Sequence, residues 1–327
     1  MATPVLICDD SSFARKQMAR ALPPNWDVEV TFAASGIEAL DAIKAGKGDI
    51  LFLDLNMPLM DGYEVLEKIR QADLPTMVIV VSGDVQPEAY QRVTSLGALD
   101  FVKKPTSPEK ILEILDKFGI RSEFSQEQRE INVEVSAHDC YQEIANVAMG
   151  RAADLLARLL GEFVVMPIPN VNMLEASELR MALKGVAEGK AACAVGQGFI
   201  GGGIAGEALL MFNEAGLADI ARLMKYDGEL NQTMGIELTM DIGSVLIGAC
   251  LKGIADQLDI SFSQGVPVVL GHHLDVGHLI SQKRWNKTLA IEMGYTIENR
   301  NISCDLLLLF TEDSIEHLNE LVSYIAE

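Results

Sequence analysis

The chain has 327 residues, with 47 acidic against 26 basic side chains and a formal net charge of −21. Hydrophobic residues make up 49%, enough for two or three packed domains and too many for wholesale disorder. So negative a chain repels phosphate backbones, which argues against binding nucleic acid through phosphate contacts.

The opening "MATPVLICDD" lacks a basic n-region and reaches two aspartates by residue 10, so no signal peptide is expected. Short apolar runs follow at Val5–Cys8, Val28–Ala33, Ile50–Leu53, Met77–Val81 and Leu99–Val102. Helical patterns lie between them, such as "SFARKQMARAL", "GIEALDAIKAG" and "GYEVLEKIRQA". This alternation predicts a doubly wound α/β domain, a five-stranded parallel sheet wrapped by helices, over 1–120.

Sites in such sheets sit at the carboxyl ends of the strands. Those ends read Asp9-Asp10, Asp54, Ser82 and Lys104 followed by Pro105. Converging carboxylates repel one another unless a cation intervenes, and oxygen ligands with water to spare suit Mg²⁺. A carboxylate beside such a cation can attack phosphorus and form an aspartyl phosphate. Lys104 and the Ser82 hydroxyl could then bind the new phosphoryl oxygens. The alternative is a surface acid cluster with an unrelated lysine.

The blocks "LICDDSS", "LFLDLNMPLMDGYE", "VVSGD" and "FVKKP" resemble those of response-regulator receiver domains of the CheY type, over 4–118. The resemblance implies Asp54 as phospho-acceptor and Asp10, Asp54 and the Asn56 carbonyl as Mg²⁺ ligands, with Asp9 in the acid pocket. It also implies Ser82 as switch hydroxyl, Lys104 as phosphate-binding lysine, Phe101 as the rotating aromatic, and a histidine kinase as phosphodonor. Ser stands where Thr is commoner and Phe where Tyr is frequent; neither change touches the phosphorylation chemistry.

The polar stretch "RSEFSQEQREIN", 121–132, reads as a linker. Beyond it, 133–327 repeats itself at an offset of 98. Asp139, Glu143, Asn146 and Pro169 correspond to Glu237, Asp241, Ser244 and Pro267, and "GEALLMFNE" corresponds to "CDLLLLFTE". A constant offset signals duplication of one supersecondary unit. Two pseudo-symmetric repeats, about 135–232 and 233–327, are expected to share a sheet in an α+β domain. Long helices are predicted near 137–160 and 236–257.

In "DCYQEIANVAMG", Asp139, Glu143 and Asn146 fall at i, i+4 and i+7, within a helical sector of about 60°. Tyr141, Ala145, Ala148, Ala152, Leu155 and Leu159 form the opposite, core-facing stripe, so the triplet is expected to point outward. Small residues, Gly150, Ala153 and Ala157, continue the triplet's face and suit a closely apposed protein. A plain solvated face is the bland alternative. Against it, a mid-helix Asn competes with its own backbone and needs a reason.

The pattern Asp139-x3-Glu143-x2-Asn146-x22-Pro169 resembles the active-site signature of the CheC/CheX/FliY phosphatases of bacterial chemotaxis, over about 135–327. That resemblance implies that Glu143 and Asn146 act on the aspartyl phosphate of a CheY-like receiver, with Asp139 and Pro169 in support. Asn146 would hold the attacking water and Glu143 would pair with the receiver's pocket lysine. The second copy departs from the pattern: Asp241 is a methylene shorter than Glu, and Ser244 lacks the amide. One competent site per chain is expected, with Glu237, Asp241, Ser244 and Pro267 a degenerate second.

The expected protein is thus a cytoplasmic signalling phosphatase whose substrate is a phosphorylated CheY-like regulator. Action in trans is favoured over action in cis on phospho-Asp54, and the phosphatase domain needs no metal of its own. A CheD-like protein is a candidate partner; the rival reading is a receiver-controlled, non-catalytic adaptor for CheD-like or motor proteins. Charged residues interrupt every candidate apolar span, so no membrane insertion is expected. The five cysteines are scattered without CxxC and read as reduced core residues. "GQGFIG" (196–201) fits a dinucleotide-binding pattern, but a hairpin turn explains it better. His272, His273 and His278 lack a fourth metal ligand at suitable spacing and read as surface-loop residues.

Overall fold

The computed structural model describes residues 2–120, 135–181, 191–226, 232–270, 285–300 and 302–326. The expected linker at 121–132 and the histidines at 272, 273 and 278 lie outside the described residues. Two compact units divide the chain, Met1–Glu143 and Ile144–Glu327.

In the first unit, strands β1 (Thr3–Cys8), β2 (Val28–Ala33), β3 (Ile50–Leu53), β4 (Met77–Ser82) and β5 (Asp100–Lys103) alternate with helices. Those helices are α1 (Ser12–Ala21), α2 (Gly36–Lys44), α3 (Gly62–Gln71), α4 (Pro87–Ser95) and α5 (Pro108–Lys117). The five strands form one parallel sheet in the order β2-β1-β3-β4-β5. Side chains alternate across a strand, so neighbours in sequence enter different cores. Leu6, Leu51, Leu53 and Val80 pack with Leu40, Val65 and Ile69 on one face. Val5, Ile7, Phe52 and Ile79 pack with Met18, Ile111 and Leu115 on the other. Both faces are covered, the condition under which parallel sheets occur. Side-chain caps start the helices: Ser11 for α1, Ser35 for α2, and an Asp61/Glu64 capping box for α3.

Helix α6 (Ala137–Leu160) begins in the first unit and continues into the second. The second unit also holds α7 (Glu214–Leu223), α8 (Gln232–Leu258) and α9 (Glu312–Ala326). Its strands are β6 (Val164–Val165), β7 (Asn170–Glu175), β8 (Ala191–Gly201), β9 (Ile204–Asn213), β10 (Ser263–Gln264), β11 (Val268–Val269), β12 (Lys287–Ile297) and β13 (Ser303–Phe310). They make one antiparallel sheet, β10-β8-β9-β13-β12-β6, with β11 also on β8 and β7 also on β12. Each half lends its short edge strands to the other half's long strand.

The "GQGFIG" stretch runs down β8 into a tight turn with Gly202 at φ 57° and Gly203 at φ 78°. That left-handed turn needs glycine, and the segment is a hairpin.

One expectation fails. Leu155 and Leu159 do not join the core stripe; they are 45% and 38% exposed. Helix α8, over Met234–Leu258, is long and apolar enough to cross a membrane by length and composition. Two of its glycines nevertheless lie against protein: Gly243 meets Val195 of β8, and Gly253 meets Ala148 of α6, as in a core helix.

Candidate functional site

The parallel sheet brings four strand ends together in the first unit. Asp9 follows β1, Asp54 follows β3, Ser82 ends β4 and Lys104 follows β5; all four are buried. Lys104 Nζ lies 2.7 Å from Asp9 Oδ2 and 3.2 Å from Asp54 Oδ1. The latter contact is an ion pair out of hydrogen-bond line. Backbone bonds fix the strand ends: Asp54 N–H donates to the Cys8 carbonyl and Lys104 N–H to the Ser82 carbonyl, each at 2.9 Å.

Local bonds orient the acids. Asp9 Oδ1 accepts the Ser11 N–H at 2.9 Å, and Asp54 Oδ2 accepts the Asn56 N–H at 3.1 Å. The Ser82 hydroxyl oxygen accepts the Asp84 N–H at 3.1 Å, which leaves its O–H able to donate. Phe101 is half-buried, its ring edge-on to Tyr90 at 6.2 Å between centroids.

Carboxylate oxygens of Asp9, Asp10 and Asp54 lie within 4.8 Å of one another. An all-oxygen, acid-rich set at this spacing fits Mg²⁺. Burial drives Asp54 well above the usual carboxylate range; Lys104 opposes this, while Asp9, Glu143 and Asp10 add to it. Burial and Asp9 also push Asp10 up to about 6. Burial would lower Lys104, but the charges of Asp54, Asp9 and Glu143 raise it well above its ordinary value, so it stays charged.

Glu143, on α6 and within this first unit, joins the same cluster. Its Oε1 lies 3.1 Å from Lys104 Nζ and its side chain is buried, at 4% exposure. Burial raises its carboxyl to about 7, with Lys104 opposing. Glu143 lines, with Asp54, Lys104 and Thr106, a cavity of about 20 Å³, room for one water. One turn earlier, Asp139 Oδ2 accepts the Ser12 hydroxyl at 2.5 Å. Asp139 also caps α6: its N–H donates to Ser136 Oγ at 3.1 Å, and its carboxylate accepts the Ser136 N–H at 3.4 Å.

The expected outward triplet is therefore not outward. Asp139 is half-buried, Glu143 is covered by Lys104, and Asn146 is 7% exposed. Pro169 is buried just before β7, and Pro267 is half-buried just before β11. The second copy behaves differently: Glu237, Asp241 and Ser244 are all exposed on α8.

Sequence reasoning missed Arg15, Ser12 and Tyr90. Arg15 Nη1 donates to the carbonyls of Asp9 and Asp10, at 2.6 and 3.0 Å, and so braces the acid loop. Its position in the first turn of the helix after the acid pair was the available signal.

The family model of the response regulator receiver domain matches residues 5–116. Chemotaxis protein CheY of Bacillus subtilis is 32% identical over 117 residues, 36% of this chain and 98% of that protein. A protein-glutamate methylesterase/protein-glutamine glutaminase of Geobacter sulfurreducens is 40% identical over 113 residues, 34% of this chain and 30% of that protein. The chain thus spans about a third of the length of the methylesterase relatives it matches. Among solved structures, Thermotoga maritima FliY aligns at TM-score 0.46 and 18% identity, covering 60% of this chain and 100% of that one.

Proposed function

Because the chain belongs to the response regulator receiver family through residues 5–116, we propose that it accepts a phosphoryl group on Asp54 and thereby controls a protein-aspartyl-phosphate phosphatase that begins on α6. The substrate is the phosphorylated form of a CheY-like regulator. The phosphodonor is a histidine kinase: an Asp54 oxygen attacks phosphorus and the phosphorus–nitrogen bond of the donor breaks. Asp10, Asp54 and the Asn56 carbonyl would hold Mg²⁺, with Asp9 alongside; when bound, the ion neutralises charge on the phosphoryl oxygens. Lys104 and the Ser82 O–H receive those oxygens.

The single observation that carries the phosphatase reading is the 3.1 Å pair of Glu143 with Lys104. The signature carboxylate has the reach and orientation to grip a receiver's pocket lysine. Asn146 follows three residues later on the same helix. Its carboxamide can accept from a water and donate to a phosphoryl oxygen at once. Water then attacks phosphorus, the bond to the aspartyl oxygen breaks, and the carboxylate leaves. Holding that water in line is a positioning effect worth several kcal/mol. The substrate receiver supplies its own metal and lysine.

The test is phosphate release from an acetyl-phosphate-charged CheY-like receiver. Wild-type chain should accelerate release, and Asn146→Ala should abolish the acceleration with the circular dichroism spectrum intact. Asp241→Ala/Ser244→Ala, in the degenerate copy, should keep it. Full activity in Asn146→Ala sinks the reading.

A further inference from the structure

The phosphatase reading assigns Glu143 to a receiver's pocket lysine, and one such lysine lies within reach on the same chain. Lys104 carries three N–H donors. Asp9 lies 2.7 Å from the ammonium and Glu143 3.1 Å. Asp54 Oδ1, at 3.2 Å, accepts no hydrogen bond among the described residues, so the third donor is not committed to it. A phosphoryl oxygen on Asp54 can take that donor while Glu143 keeps its own. Lysine, phosphoryl group and Glu143 can thus share one pocket, as the hydrolysis requires. We infer that the chain's own phospho-Asp54 is a substrate of α6, so that phosphorylation of this protein is ended by intramolecular hydrolysis. This rests on the phosphatase reading for its chemistry and names the receiver that Glu143 serves first.

Two contacts lay the first turns of α6 on the receiver. Asp139 accepts the hydroxyl of Ser12 at the start of α1, and one turn later Glu143 reaches Lys104. Glu143 also shares with Asp54 and Lys104 the wall of one small cavity, so the carboxylate and the phospho-acceptor face the same space. Motif spacing alone favours action on a separate receiver; the ion pair reverses that order. Residues 118–136, a tether of 19, join α5 to α6. A partner on so short a tether is met at an effective concentration on the order of millimolar. A free regulator must displace the chain's own receiver from Glu143 before it is served.

In the step itself a water oxygen bonds to phosphorus while the bond from phosphorus to the Asp54 oxygen breaks. The electron pair returns to the Asp54 carboxylate, and the water's proton leaves with inorganic phosphate. Glu143 acts through Lys104 and is a positioning residue; the water is the nucleophile. The lifetime of the phosphorylated state is therefore set within one chain.

The test charges the full chain with acetyl phosphate and Mg²⁺, removes the donor, and follows loss of phosphate from Asp54 by phosphate-affinity electrophoresis. Decay should be first order, with one rate constant across about a hundredfold dilution, because a tethered reaction does not depend on chain concentration. An excess of Asp54→Asn chain, which keeps Glu143 but takes no phosphoryl group, should leave that rate unchanged. Glu143→Ala should slow the decay by about a hundredfold, the effect of a misplaced reacting group, and Glu143→Gln should act in the same direction, both with circular dichroism unchanged. Decay that speeds up with chain concentration, or with the Asp54→Asn chain, overturns the inference, because hydrolysis then passes between chains. Decay that ignores both Glu143 variants also overturns it; if wild type still strips phosphate from a separate receiver, the phosphatase reading survives that failure. Self-hydrolysis that needs Glu143, with no effect on a separate receiver, leaves the inference standing and sinks the free regulator as substrate.

Discussion

Leu209 on β9 and Leu307 on β13 are direct partners across the antiparallel pair. They are also 98 positions apart, the offset of the sequence repeat. A residue paired with its own repeat equivalent marks a local two-fold axis. The flanking pairs obey it: Gly206 faces Phe310 as Cys304 faces Phe212. The same symmetry explains the edges, where β6 and β7 of the first half pair with β12, and β10 and β11 of the second pair with β8.

The helices meet at Gly253, where an added Cβ would lie 2.8 Å from Ala148 Cα and 3.0 Å from its Cβ. Alanine would gain about 1 kcal/mol of helix propensity over glycine. Overpacking against a backbone costs about 1–3 kcal/mol, so the clash wins. Gly253→Ala should lower the urea midpoint, and Ala148→Gly should partly restore it. A stabilised Gly253→Ala would show that the helices separate freely.

Asp54 sits 1% exposed among Asp9, Asp10 and Glu143, with Lys104 as counter-charge. That arrangement serves phosphoryl transfer at the expense of stability. Asp54→Asn removes one buried charge crowded by other acids and should stabilise the metal-free chain. Urea denaturation in chelator checks this, read as a higher midpoint at unchanged slope. Loss of stability would mean that the Lys104 pair outweighs the repulsion.

Glu143 gives a pH dependence of definite sign. Burial raises its carboxyl from 4.5 to about 7 in the folded chain, so between those values the folded state binds more protons than the unfolded state. Its contribution to stability is greatest below the ordinary value and falls as pH rises through about 7. Glu143→Gln should flatten the decline. A residual slope should remain from Asp10, raised in the same way to about 6. Denaturation midpoints measured across this range, without metal, should show the wild type steeper than the variant; parallel curves count against a buried, ionising Glu143.

Much of the fold is legible in the sequence alone. The run Ile50–Leu53 coincides with β3 and Val5–Cys8 falls within β1, because a parallel strand buried on both faces must be continuously apolar. The strand-end residues Asp9, Asp54, Ser82 and Lys104 follow from that layout. Arg15 and Tyr90 were not legible, since their roles are contacts to backbone carbonyls and to a ring edge, which leave no periodic trace. Leu155 and Leu159 misled for a related reason: helical periodicity names a face but not where its partner ends.

The amino-acid sequence by itself determined the α/β domain, the 98-residue duplication and the residue types of both candidate sites, because hydrophobic period and motif spacing are local properties of a chain. Only the tertiary structure decided that Glu143 lies on Lys104 and that Asn146 is covered. Helix geometry sets which side chains share a face. What that face meets depends on parts of the chain distant in sequence, and so does the balance of burial against charge that sets how its acids behave.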